Sequence, residues 1–126
     1  MSAELTMLGQ NVDPLRYGQL EVFPVERPVR VTFRSEELEA LCPAVDGIQP
    51  DIYKTEISYT AETHALESKS LKLWLVTFRN ERIFGEHLAI QIHERLVELE
   101  PAIKDVRVSL LQNARGGITT EIVVPS

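Results

Sequence analysis

A chain of 126 residues with a formal net charge of −6 is long enough for one hydrophobic core and too short for two domains. Its 44% hydrophobic and 25% charged residues suit a globular protein in water, and no apolar run approaches the roughly 20 residues of a membrane span. The acidic balance argues against a nucleic-acid partner, the first residues lack a secretory signal, and a lone cysteine excludes an internal disulfide, so a cytoplasmic chain with a free thiol is expected.

In chain order, residues 1–28 are broken by Pro14, Gly18, Pro24 and Pro28 and are expected to form an irregular arm of a single domain spanning 1–126. Residues 29–33 alternate apolar and polar, which predicts a short strand. Ser35 followed by Glu36 and Glu37 predicts a short helix through Leu41, stopped by Pro43. Residues 43–51 read as a loop. The alternation of Tyr53, Thr55, Ile57 and Tyr59 predicts a strand over 52–59, followed by a polar connection over 60–67. Residues 71–78, Leu-Lys-Leu-Trp-Leu-Val-Thr-Phe, predict the strongest strand of the chain. From Phe84 the period changes, and Leu88, Ile92, Leu96 and Leu99 predict a long helix ending near Pro101. Residues 106–111 and 118–124 predict two strands about a turn at Gly116-Gly117. The sum is an α+β chain of four or five mostly antiparallel strands, with one long and one short helix on one face. Such a sheet leaves a face and its edges bare, which predicts self-association.

Four segments can carry chemistry. Cys42 and Asp51 bracket a Pro/Gly-rich loop that can aim a nucleophile and a proton donor or acceptor at one point. A lone cysteine is more often a small buried hydrophobe, so spacing alone does not decide its role. Glu67-Ser-Lys-Ser-Leu-Lys72 offers hydroxyls and cations suited to phosphate, though polar residues at an element's start are most often solvated. Glu86 opens the long helix, where a carboxylate complements the helix dipole or holds the N–H edge of a base-like ring. Arg115-Gly-Gly-Ile118 permits close backbone approach to a ligand, yet alone reads as a hairpin turn. His64, His87 and His93 lack ligand-like spacing, so no metal is expected.

Leu41-Cys-Pro43, Gln49-Pro-Asp51, Glu67-Ser-Lys-Ser-Leu-Lys-Leu-Trp74, Phe78-Arg-Asn80, Phe84 with Glu86, and Arg115-Gly-Gly-Ile118 together resemble the QueF family. Members of that family are the nicotinamide-dependent nitrile reductases of queuosine biosynthesis. The motifs stand in the family's order across roughly residues 5 to 120. The resemblance implies that Cys42 adds to the nitrile of 7-cyano-7-deazaguanine to form a covalent thioimide, with Asp51 moving the proton. Two NADPH would then reduce the nitrile to the aminomethyl group. It implies substrate contacts at Leu66, Glu67, Ser68, Gly85 and Glu86, and NADPH contacts at Ser68, Lys69, Arg115 and Gly116. It also implies the tunnelling fold, whose sheets join into an oligomeric β-barrel with active sites between subunits. A ring homo-oligomer of two stacked pentamers is the expected form.

Three features depart from the family. The stretch Cys42-Pro-Ala-Val-Asp-Gly-Ile-Gln-Pro-Asp51 is two positions longer than the family's Cys-Pro-x-Thr-Gly-Gln-Pro-Asp, which makes Asp46 a rival acid. Gly85 stands where the family has a histidine before Glu86. The sequence also runs only a few residues past Arg115-Gly-Gly, so part of the usual C-terminal wall is expected to be missing. Two further readings stay open. One is a QueF-like amidinotransferase, in which an amine captures the thioimide. The other is a purine-binding tunnelling-fold module with an inert Cys42.

Overall fold

The computed structural model describes residues 19–45 and 47–125, and of Arg115 only the backbone. In chain order the elements are β1 (Val22–Pro24), β2 (Val29–Leu41), β3 (Pro50–Ala61), β4 (His64–Leu66), α1 (Ser68–Val76), α2 (Gly85–Val97), β5 (Ile103–Arg115) and β6 (Ile118–Val124). The alternation that begins at Tyr53 builds the centre of the sheet. Strand β3 pairs antiparallel with β2 on one side and β5 on the other, and β6 completes the order β2-β3-β5-β6. Tyr53, Ile57, Tyr59 and Ala61 point to the face covered by helices and are buried, as are Val108 and Leu110 on β5. Helix α2 lies on β5 and β6. Its Leu88, Ile92 and Leu96 recur every four residues, are fully buried, and would each cost about 2–5 kcal/mol if cut to alanine.

The opposite face of the sheet is polar. Arg34 Nε lies 3.0 Å from Glu56 Oε2, and Arg107 Nη1 lies 3.7 Å from Glu56 Oε1. These exposed pairs add little stability, about 0–1 kcal/mol each. The β5–β6 connection is a two-residue turn with Gly116 at φ 58° and Gly117 at φ 81°. Positive φ at both central positions defines a type I′ hairpin turn, which fits the strand twist and which two glycines adopt without strain.

Three expectations are corrected. Residues 71–78 are not a strand. Ser68–Val76 is helical, because Ser70, Leu71, Trp74 and Phe78 fall at helical spacing and are all buried. Trp74 and Phe78 meet edge to face with centroids 5.3 Å apart. Residues 35–41 are not a helix, since β2 runs on to Leu41 through a register shift between Ser35 and Leu38. The cap-like signal was genuine in kind, for Glu37 N donates to Ser35 Oγ at 3.1 Å, but here the hydroxyl supports a bulge. Cys42 therefore follows a strand, not a helix. Finally, within the expected irregular arm, Val22–Pro24 forms β1 and pairs with β4, which breaks the expected polar connection over 60–67. Residues 1–18 lie outside the described part of the chain, as does Asp46, so the expectations placed on them are not addressed by the fold.

Candidate active site

The reactive end of the site grows from the last residues of β2. Leu41 N donates to Glu81 O at 2.8 Å, and Ile83 N donates to Leu41 O at 3.1 Å, so segment 81–83 closes the outer edge of β2. On the inner edge Ala40 lies opposite Asp51 and Leu41 opposite Pro50. The ladder takes one further step, with Cys42 N donating to Gln49 O at 2.9 Å. Side chains alternate across a strand, so Cys42, two residues past Ala40, falls on the same face as Asp51. Diagonal neighbours of this kind have Cα atoms about 7–8 Å apart, a gap that one substrate group spans. Cys42 is half-buried and its thiol is free, while Asp51 is 4% exposed. The longer loop thus leaves the Cys42 backbone one ladder step beyond the Ala40–Asp51 pair.

The start of α2 sits at this end of the sheet. Gly85 is packed so tightly that a Cβ there would lie 2.7 Å from Ile122 Cδ1 and 3.1 Å from both Cε1 and the hydroxyl of Tyr53. Ile122 and Tyr53, the latter two residues from Asp51 on β3, thus crowd the position where a side chain at residue 85 would begin. Glu86 follows as an exposed carboxylate in the first turn of α2. The Gly116 turn is at the same end of the sheet, because Gln112 lies opposite Tyr53 and the hairpin continues outward from there. The side chain of Arg115 is outside the described atoms.

Leu66, Glu67, Ser68 and Lys69 stand elsewhere. Leu66 is buried, and its N–H donates to the Tyr59 hydroxyl at 2.8 Å. Burial pushes the Tyr59 phenol above its ordinary value, and this hydrogen bond offsets part of the rise. Glu67 is the N-cap of α1 and is only 1% exposed; Oε1 accepts from Ser70 N at 2.7 Å and Oε2 from Lys69 N at 2.8 Å. Ser70 Oγ donates to Glu67 O at 2.8 Å and accepts from Glu21 N at 3.0 Å. Ser68 is exposed and opens onto a groove of about 640 Å³ between β2 and α1, which Lys72 and Arg79 also line. Neither Cys42, Asp51 nor Glu86 lines that groove.

Helix α1 runs alongside β2 toward the reactive end, as the 3.7 Å pair between Arg79 Nε and Glu39 Oε2 and the bridge from Arg82 to Leu41 show. Nine helical residues at 1.5 Å each keep Glu67 and Ser68 roughly 13 Å or more from the Cys42 end. One chain therefore carries the expected site in two parts. Sequence reasoning missed Arg82, whose guanidinium donates to Cys42 O at 3.4 Å, Val45 O at 3.0 Å and Gly47 O at 2.6 Å. An arginine in an otherwise polar connection has no periodic signature that would single it out.

His93 Nε2 lies 3.1 Å from Val106 O, and His64 Nδ1 lies 3.0 Å from Thr63 Oγ1. Among the described residues, no group of three or more His, Cys, Asp or Glu converges as a metal site. Among them, too, no helix is long and apolar enough to cross a membrane.

A family model described as "QueF-like protein" matches residues 50–126. The chain is 40% identical over 124 residues to the NADPH-dependent 7-cyano-7-deazaguanine reductase of Syntrophus aciditrophicus (strain SB), covering 95% of this chain and 84% of that protein. It is 43% identical over 118 residues to the protein of the same name from Frankia casuarinae, covering 90% and 89%. Among solved structures, the archaeosine synthase QueF-Like in its apo form superposes with a TM-score of 0.64 at 22% identity, over 81% of this chain and 95% of that one, a likeness of fold. The family model over residues 50–126 and these relatives, with the antiparallel α+β architecture beside them, place the chain in the QueF-like protein family.

Proposed function

We propose that this chain is an NADPH-dependent oxidoreductase that converts 7-cyano-7-deazaguanine to 7-aminomethyl-7-deazaguanine in the cytoplasm, the first half of that reading being the activity for which its relatives are named. The observation that carries it is the pairing of a free, half-buried thiol with a buried carboxyl on one face of the β2–β3 ribbon. A nitrile accepts hydride poorly until a soft nucleophile adds to it, and covalent catalysis divides that difficult step. Cys42 Sγ, as thiolate, forms a C–S bond to the nitrile carbon while one C–N π bond opens. The nitrogen takes its proton from the Asp51 carboxyl, which gives a neutral thioimide. The burial of Asp51 supports this role.

Glu86, with Gly85 behind it, is assigned to the deazaguanine N–H edge, together with Leu66 at the end of β4 and Glu67 and Ser68 at the start of α1. Within one chain Glu67 is buried with both oxygens on its own helix start, so its share in the substrate contact belongs to the backbone it fixes beside the exposed Ser68. Ser68, Lys69, Arg115 and Gly116 are assigned to NADPH, whose chemistry when bound is to supply hydride to the activated carbon. The donors on α1 suit a phosphorylated cofactor: an exposed Ser68 hydroxyl beside Lys69, with Lys72 and Arg79 along the groove. The β2 wall of that groove is acidic, with Glu36, Glu37 and Glu39, so a polyanion is held from the α1 side.

The tunnelling fold and a ring homo-oligomer belong to the same reading. The division of the site along α1 supports it, because a second copy can bring its α1 start to the Cys42 end of the first. Among the described residues no strand pairs with the outer edge of β6, nor with that of β2 ahead of the bridge at Leu41, and this supports it as well. The test mixes purified protein with 7-cyano-7-deazaguanine, with Cys42→Ala as blank, and follows intact mass, thioimide absorbance and NADPH oxidation. An adduct at Cys42 with NADPH consumption is the expected result. An adduct without consumption would move the assignment to amine capture, and no adduct would remove Cys42 from the chemistry.

A further inference from the structure

The loop that separates Cys42 from Asp51 is tied from outside by one side chain. The Arg82 backbone is fixed against β2 by the hydrogen bonds that flank it, Leu41 N to Glu81 O and Ile83 N to Leu41 O. From that anchor its guanidinium reaches three carbonyls in the loop, 3.4 Å to Cys42, 3.0 Å to Val45 and 2.6 Å to Gly47. Nη1 serves the first two and Nη2 the third, so both arms of the fork are used. Between Cys42 and Gln49, which close the base of the loop, no strand ladder among the described residues holds these carbonyls. Unheld, a segment of this length samples many conformations, and few of them leave Cys42 facing Asp51.

We propose that Arg82 is a positioning residue for Cys42: its planar fork gathers the loop carbonyls and thereby holds the thiol on the Asp51 face. This rests on the assignment of Cys42 as nucleophile. Arg82 does not touch the reacting atoms in this role; it acts through the backbone of the residue that does. Its requirement is geometric as well as electrostatic. An ammonium is a single point on a flexible stem and cannot span carbonyls at both arms of a fork. Arg82 itself is exposed, so its removal leaves the hydrophobic core intact and the fold is expected to survive.

The test uses full-length Arg82→Ala and Arg82→Lys with two independent readouts. The first is hydrogen exchange of the peptide covering residues 43–48, which reports the tether without any chemistry. Exchange there is expected to rise in both variants while α2 and β5 stay protected. The second is the rate of thioimide formation with saturating 7-cyano-7-deazaguanine. It is expected to fall roughly 10²-fold in both variants, the scale of a small misplacement of a reacting group, with little change in half-saturation. Guanidinium ion added to Arg82→Ala is expected to recover part of the rate, and sodium at equal ionic strength none of it. Unchanged exchange in the loop would overturn the proposal. So would a wild-type adduct rate in Arg82→Ala, or full recovery of rate in Arg82→Lys, which would reduce the role to simple charge. If wild-type protein forms no adduct at all, the assignment of Cys42 fails by itself, and the exchange result then decides the tether alone.

Discussion

Gly85 marks the point where α2 meets the sheet, and its missing side chain is an answer to its neighbours. A Cβ there meets Ile122 Cδ1 at 2.7 Å, which the flexible end of that side chain must yield, and the Tyr53 ring edge and hydroxyl at 3.1 Å, which must give slightly. Gly85→Ala is therefore expected to cost about 1 kcal/mol, the low end of overpacking. Ile122→Val removes the offending Cδ1, so the double variant should recover part of that loss, and a urea-denaturation cycle of the four proteins measures the coupling. On the neighbouring strand, Asp51→Asn keeps the shape of the side chain but cannot donate the same proton. Thioimide formation should slow by about 10²–10⁴-fold while Cys42 remains reactive toward a general alkylating agent. Tyr59 sets a limit at high pH. Burial raises its phenol above the ordinary 10.0, so folded and unfolded chains are both protonated below that value and its contribution is intact there. Above it the unfolded chain ionises first and binds fewer protons, so stability falls as pH rises through the folded value. Urea midpoints taken from about pH 8 to about pH 11 should drop less steeply in Tyr59→Phe.

At the scale of elements, α1 depends on its first residue more than on its own propensity. Glu67 satisfies two of the four N–H groups that a helix start leaves open, with both oxygens in use and almost no solvent contact. Glu67→Ala should cost about 1–2 kcal/mol of stability, and Glu67→Gln, which keeps one acceptor oxygen, visibly less, as thermal melts of the two variants will show. The apolar pattern of the segment does not reveal this cap. Residues 71–78 alternate Leu71, Leu73 and Leu75 as a strand would, whereas the buried set is Ser70, Leu71, Trp74 and Phe78. The serines and the glutamate ahead of them were read for chemistry, although they also fit the start of a helix. Strand β2 misled in the opposite sense, because a Ser-Glu-Glu stretch supports a bulge as readily as a helix start. Strand β1 is three residues among prolines and exists only through its pairing with β4. By contrast β3, β5, β6 and α2 were legible, since each has a one-sided apolar pattern long enough to outweigh local signals.

At the scale of the molecule, the opposite face of the sheet is polar, and among the described residues no strand pairs with the outer edge of β2 or of β6. The candidate site was legible as a set of motifs but not as an arrangement. Spacing leaves open how Cys42 and Asp51 stand to each other; β2 pairs Ala40 with Asp51, and the bond from Cys42 N to Gln49 O carries that ladder one step further. Spacing could not show that Glu67 is held by its own helix, nor that Arg82 grips the loop, because both depend on hydrogen bonds to backbone groups. The division of the site along α1 has a genetic consequence. A chain lacking Cys42 and a chain reversed in charge by Lys69→Glu are each expected to be inactive alone, yet damaged in different halves. If the halves come from neighbouring copies, co-expressing the two chains in equal amounts should restore about a quarter of the sites, by random assortment within a closed ring. If each chain served only itself, every site in the mixture would remain broken, and no activity would return. Two silent alleles that speak when combined would thus reveal the geometry of the assembly without a structure of it.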